Sequence, residues 1–190
     1  MINIGITGTL SSGKSTVAKL ISGGKYPFFS ADKSVKNLYS KKLFIKKIKK
    51  KFNIKNTKGI KQRIKSIIKN DKKKLKELEL IIHPLVRKEM RAFLKKKGKI
   101  KIFEIPLLIE SKLNKHFDLI VNIAAQKKLR LKRYLRKGGN KEIFTILDNR
   151  QFKNKKKIKN CDYVIYNNKS LKNLKKKVNR LKKRLWMKFF

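Results

Sequence analysis

Cysteine is almost missing from this chain: Cys161 stands alone in 190 residues, so no internal disulfide can form and a reducing compartment is the natural expectation. Proline occurs three times, and no repeat or low-complexity linker interrupts the chain apart from lysine runs, which read as solvated faces. No apolar run approaches the roughly 18 residues of a membrane helix. The first residues enter a strand pattern without the charged and apolar regions of a secretory leader, so a soluble cytoplasmic protein is expected. Acidic residues are scarce as well: 11 against 56 basic ones, a formal net charge of +45.

Such an excess ordinarily points to nucleic acid or an anionic membrane. Here the basic residues are diffuse, and only nine are arginine, the side chain suited to bidentate phosphate and base contacts. Lysine, asparagine, isoleucine and phenylalanine are all plentiful and all have A/T-rich codons, so much of the charge reads as compositional bias. Weak, salt-sensitive, nonspecific association with RNA or DNA is expected; specific nucleic-acid or membrane partners are not. At this length a single domain burying about 70% of its unfolded surface is expected, with room for a small subdomain.

What the chain does carry is Gly8-Thr-Leu-Ser-Ser-Gly-Lys-Ser15, a match to G-x-x-x-x-G-K-[ST]. The apolar run Ile2 to Ile6 precedes it as a strand, and Thr16-Val-Ala-Lys-Leu-Ile21 follows as a helix. In that context the amides of Gly8, Ser11, Ser12 and Gly13 can ring a phosphate, helped by the unsatisfied first-turn donors of the helix. Lys14 is placed for the β- and γ-phosphates, the Ser15 hydroxyl for a bridging Mg²⁺, and Thr16 for the α-phosphate.

The remaining pattern is α/β. Strands are expected at Met1–Thr7, Tyr26–Ser30, Ile100–Glu104, Asp118–Ala124 and Cys161–Tyr166, in a five-stranded parallel sheet flanked by helices. Asp32 and Glu104 then fall at strand C-terminal ends, the sheet edge where ligands bind. Glu104 is placed as a magnesium or water partner, or as an acidic residue merely satisfied at that edge; the pattern leaves both open. Residues 41–97 read as lysine-rich helices: Leu43, Phe44, Ile48 and Phe52 mark one, Ile60, Ile64, Ile67 and Ile68 another, Leu75, Leu78 and Ile82 a third. His83-Pro84 is expected to end that third helix and begin a new one, with proline at its first position. Gly138-Gly139-Asn140 is expected as a flexible joint between basic helices, and Ser170 as the cap of a final helix whose Leu171, Leu174, Val178, Leu181 and Leu185 face the sheet.

Taken together these blocks resemble the dephospho-CoA kinase family. The phosphate loop, Ser30-Ala31-Asp32, His83-Pro84-Leu85, Pro106-Leu107-Leu108-Ile109-Glu110, the lid residues Arg136 and Gln151, and Cys161-Asp-Tyr-Val-Ile-Tyr-Asn167 recur in the family's order from residue 1 to about 175. Thr9 and Ser11 stand where the family usually has glycine, Ser30 replaces the first aspartate of its Asp-Ala-Asp, and Lys36 replaces an arginine. The resemblance implies a fold like that of nucleoside-monophosphate kinases, with a core over 1–40 and 98–190, a helical substrate-binding insertion over 41–97 and a lid near 133–155.

It further implies ATP-dependent, Mg²⁺-assisted phosphorylation of the ribose 3′-hydroxyl of dephospho-CoA by a monomer or weak oligomer. Asp32 would orient or deprotonate the acceptor hydroxyl, Lys14 would hold phosphates, and Ser15 with Glu104 would hold the metal. Arg136, and second to it Arg133, would meet ATP as the lid closes; a solvated helix face is the competing reading for both. His83 and Leu107 are candidates for substrate contact, His83 being also a plausible helix-start residue. Two rivals stay open: another kinase of nucleosides, nucleotides or shikimate-like alcohols, and an ATP-switched nucleic-acid-binding protein, favoured by a gel shift that survives about 0.3 M salt.

Overall fold

In chain order the computed structural model shows β1 (Ile2–Gly8), α1 (Lys14–Ser22) and β2 (Phe28–Ser30), then α2 (Ala31–Leu38), α3 (Lys42–Phe52), α4 (Ile60–Asn70) and α5 (Lys73–Leu94). They are followed by β3 (Ile100–Glu104), β4 (Leu119–Ala124), α6 (Lys127–Leu135), α7 (Lys141–Asn149), α8 (Asn154–Ile158), β5 (Tyr163–Tyr166) and α9 (Leu171–Phe189). The structure describes residues 1–71 and 73–189, without the side chains of 186, 188 and 189. Two compact units result: Met1–Ser30 with Lys96–Phe190, and Ala31–Lys95.

The first unit is built on one parallel sheet in the order β2-β3-β1-β4-β5. β1 is therefore central, as its alternation of isoleucine with small residues requires. Ile4 and Ile6 point into an apolar layer with Val17, Ala18 and Ile21 of α1 and Leu174, Val178, Leu181 and Leu185 of α9. Gly5 faces the other way, and a Cβ there would stand 2.7 Å from Leu108 and 3.0 Å from Phe117, so a larger residue would have to displace those side chains from the second layer. The sheet's switch point lies at β1, whose two neighbours β3 and β4 are reached later in the chain, and the loop after β1 opens at the edge where ligands bind in such sheets.

The second unit is helical and has its own core, in which Phe44, Ile48 and Phe52 of α3, Ile60, Ile64 and Ile68 of α4, and Leu75, Leu78, Ile82 and Met90 of α5 are buried. Glu89 ties α5 to α2 through the Ser34 hydroxyl and to Lys41 at 2.9 Å. Burial alone would raise the Glu89 carboxyl, but these two donors carry it below the ordinary range.

Several expectations need correction. α5 runs through Pro84 without a break, so His83-Pro84 does not start a helix. The cause is position: Pro84 lies on the exposed face, and Leu80, whose carbonyl it leaves unbonded, is 68% exposed, so water can take that carbonyl's bond. Leu43 is 84% exposed and Leu171 56%, each at the first turn of its helix, where the apolar stripe has not yet met a partner. Asn140 is no loose joint: its side chain accepts from the amides of Glu142 and Ile143 and caps α7, and Gly139 lies so close to the Tyr134 ring that a Cβ would meet it at 2.2 Å. Ser170 does cap α9, accepting from the Asn173 amide at 3.3 Å. Among the described residues no helix is long and apolar enough to cross a membrane.

Candidate active site

β1 delivers the chain to the Gly8–Ser15 loop, and α1 begins at Lys14 behind it. The two glycines are there for space. Gly8 has φ of 146°, and a Cβ on it would lie 2.3 Å from the Ile123 carbonyl oxygen; on Gly13, with φ of 103°, it would lie 2.4 Å from the Asn167 amide nitrogen. Gly13 has no side chain to cap α1, which leaves the first-turn amides for an external acceptor. The Ser12 amide closes a turn onto the Thr9 carbonyl at 3.1 Å, and the buried Lys14 ammonium donates to the same carbonyl at 3.0 Å, laying its stem along the loop.

Glu104 ends β3 in register with Ile6 and Ser30, and is only 2% exposed. One of its oxygens accepts from the Ser15 hydroxyl and the other from the Ser30 hydroxyl at 2.8 Å. A carboxylate and two hydroxyls thus meet at the C-terminal sheet edge, and Ser15 is the loop residue they hold. Thr16 is exposed on the first turn of α1.

The two arginines differ. Arg133 donates through Nη2 to the Asn167 carbonyl at 3.0 Å, and the Asn167 side chain donates to the Ser12 carbonyl at 2.8 Å, so Arg133 is bonded to a residue that holds the loop. Its Nη1, and the Ser12 and Thr9 hydroxyl oxygens, are buried without a hydrogen-bond partner among the described residues. A buried guanidinium nitrogen left unbonded is costly, and an incoming acceptor would satisfy it. Arg136 is exposed at the C-cap of α6. Asp32 is the second residue of α2, directly after β2; His83 lies in mid-α5; Leu107 is half-buried in the turn after β3.

Three groups have roles that the sequence does not show. Arg130, 5% exposed, forks onto Asp148 and also donates to the Leu10 carbonyl at 3.2 Å. Gln151, which the sequence marks only as part of a lid pattern, accepts from the Leu10 amide at 2.6 Å. Lys157 is fully buried, donating to the Pro106 carbonyl at 2.8 Å and pairing with Glu110 at 2.9 Å. Burial drives its ammonium below the ordinary lysine range against the pull of Glu110. A lysine among 56 basic residues gives no signal of its own, which is why the pair stayed hidden.

Burial also pushes the nearby Cys161 thiol up to about 11, the Lys157 charge opposing it. At pH 8 roughly one thiol in a thousand is then ionised, and only the thiolate is nucleophilic. Iodoacetamide should therefore alkylate the native protein at pH 8 at least about tenfold more slowly than the same protein in guanidinium. Equal rates would show the thiol to be unshifted.

A glycine-bounded loop leaving the central strand of an all-parallel sheet, with a lysine and a serine opening the next helix, is the site of a phosphate-loop kinase. The family model described as dephospho-CoA kinase matches residues 2–173. A dephospho-CoA kinase of Fusobacterium nucleatum is 36% identical over 185 residues, covering 93% of this chain and 95% of its own, and one of Bartonella henselae is 34% identical over 182 residues, covering 92% and 93%. A crystal structure of a Thermus thermophilus protein superposes with a TM-score of 0.77 at 27% identity, over 100% of this chain and 98% of that one. The chain belongs to the dephospho-CoA kinase family.

Proposed function

We propose that this protein transfers the γ-phosphoryl group of ATP to the ribose 3′-hydroxyl of dephospho-CoA, releasing coenzyme A and ADP. The observation that carries the reading is the loop from Gly8 to Ser15 at the sheet's switch point, with Ser15 held by the buried Glu104. Family membership selects the acceptor. Phosphoryl transfer of this kind needs positioning and charge neutralisation more than covalent chemistry.

The loop amides, Lys14 and Thr16 hold the triphosphate, and the Arg133 Nη1 and Ser12 hydroxyl, which have no partner among the described residues, take further phosphate oxygens. Ser15 and Glu104 offer only oxygen donors, which suits a hard cation such as Mg²⁺. No group of three or more His, Cys, Asp or Glu that could hold a metal occurs among the described residues, so the other ligands would be nucleotide oxygens and water. Bound there, the ion supplies charge neutralisation on the phosphates. Asp32 accepts the proton of the ribose hydroxyl, Arg136 joins Arg133 at the phosphates when the lid closes, and His83 and Leu107 contact the acceptor.

The test is ADP release from ATP with dephospho-CoA, adenosine, AMP and shikimate offered side by side. Turnover with dephospho-CoA at least about a hundredfold above each rival in kcat/KM is expected. A better rate with any of the other three would overturn the assignment.

A further inference from the structure

The strained residue of the phosphate loop has both of its chain neighbours held by side chains 120 to 155 residues away from them. Ser11 has φ of 57°, in the left-handed region that disfavours any residue with a Cβ. Such a conformation persists only where its surroundings over-determine it. Here they do. On one side the Leu10 amide donates to Gln151 and the Leu10 carbonyl accepts from Arg130; on the other the Ser12 carbonyl accepts from Asn167.

Leu10 is half-buried, so water could serve its polar groups and burial alone does not demand these partners. What the two side chains add is fixed geometry. Arg130 is itself immobilised, by the Ala125 carbonyl at 3.1 Å and by both oxygens of Asp148. We infer that Gln151 and Arg130 are positioning residues for nucleotide binding, holding the peptide groups before Ser11 so that the loop keeps its anion-binding ring before nucleotide arrives. The inference rests on the nucleotide-binding reading above.

ATP affinity and steady-state kinetics of the wild type, Gln151→Met, Ser11→Gly and the double variant test it. With Ser11 present, Gln151→Met is expected to raise both Kd and KM for ATP about tenfold, the scale of the left-handed penalty. Its kcat at saturating ATP and its KM for dephospho-CoA should stay within about twofold. With Ser11→Gly in place the same substitution should cost less than about threefold, because glycine needs no support there. Asp148→Asn, which loosens Arg130 from its other end, should give the same dependence on residue 11, and it decides the matter if Gln151→Met does not fold.

An equal penalty in both backgrounds, or none with Ser11 present, overturns the inference. A wild-type protein that binds no ATP overturns the functional reading and this inference with it; a wild type that binds ATP normally while the cycle shows no coupling overturns the inference alone.

Discussion

Asp32→Asn is expected to lower kcat with dephospho-CoA by about 10²- to 10⁴-fold, the usual contribution of a positioned general base. Asparagine keeps the size of the side chain and its capacity to accept one hydrogen bond but cannot take a proton. Asp32 is also the acidic residue in the first turn of α2, where a negative charge favours the helix N-terminus. Neutralising it should therefore cost about 0.3 to 1 kcal/mol of stability, far too little to explain the loss of rate. ATP binding should be unchanged, since on the proposed reading the loop, and not Asp32, holds the triphosphate. Turnover within about threefold of wild type would remove the base role from Asp32.

The largest stability effect is expected at Glu110. Its carboxylate accepts from the Phe152 amide at 2.8 Å and pairs with Lys157, which has no exposed surface. Glu110→Ala strands an ammonium that burial already disfavours, and breaking such a pair from one side costs about 3 to 5 kcal/mol. Lys157→Met should cost less, and adding Lys157→Met to Glu110→Ala should restore part of the lost stability, because the uncompensated charge is gone. Urea unfolding of the three variants measures this. A double variant less stable than Glu110→Ala alone would mean that the pair's worth lies in packing.

How much of this was legible beforehand depended on whether a residue's neighbours in sequence are also its neighbours in space. The phosphate loop announces itself because strand, glycines, lysine and helix start lie within one short segment. The sheet was equally plain, since each parallel strand is a compact apolar run, and Ser170 could be named as a cap from its place ahead of a helical stripe. Glu104 was suspected from its place at a strand end, but its two serine partners come from β2 and α1, which only the register brings together. Arg130, Asp148 and Gln151 act on Leu10 from across the chain, so no local pattern could show them. Pro84 misled because helix-breaking is a local rule, and it gives way where the freed carbonyl is open to water. Asn140 misled in the opposite sense: beside two glycines it read as slack, whereas its side chain fixes the start of α7.

The position of the transferred phosphate is the most direct check on the account. Phosphorus NMR of the product formed from dephospho-CoA and ATP is predicted to show a new phosphomonoester coupled to the ribose 3′ proton, with ADP formed in equal amount. A phosphate on any other hydroxyl, or ATP consumed with dephospho-CoA unaltered, would contradict it.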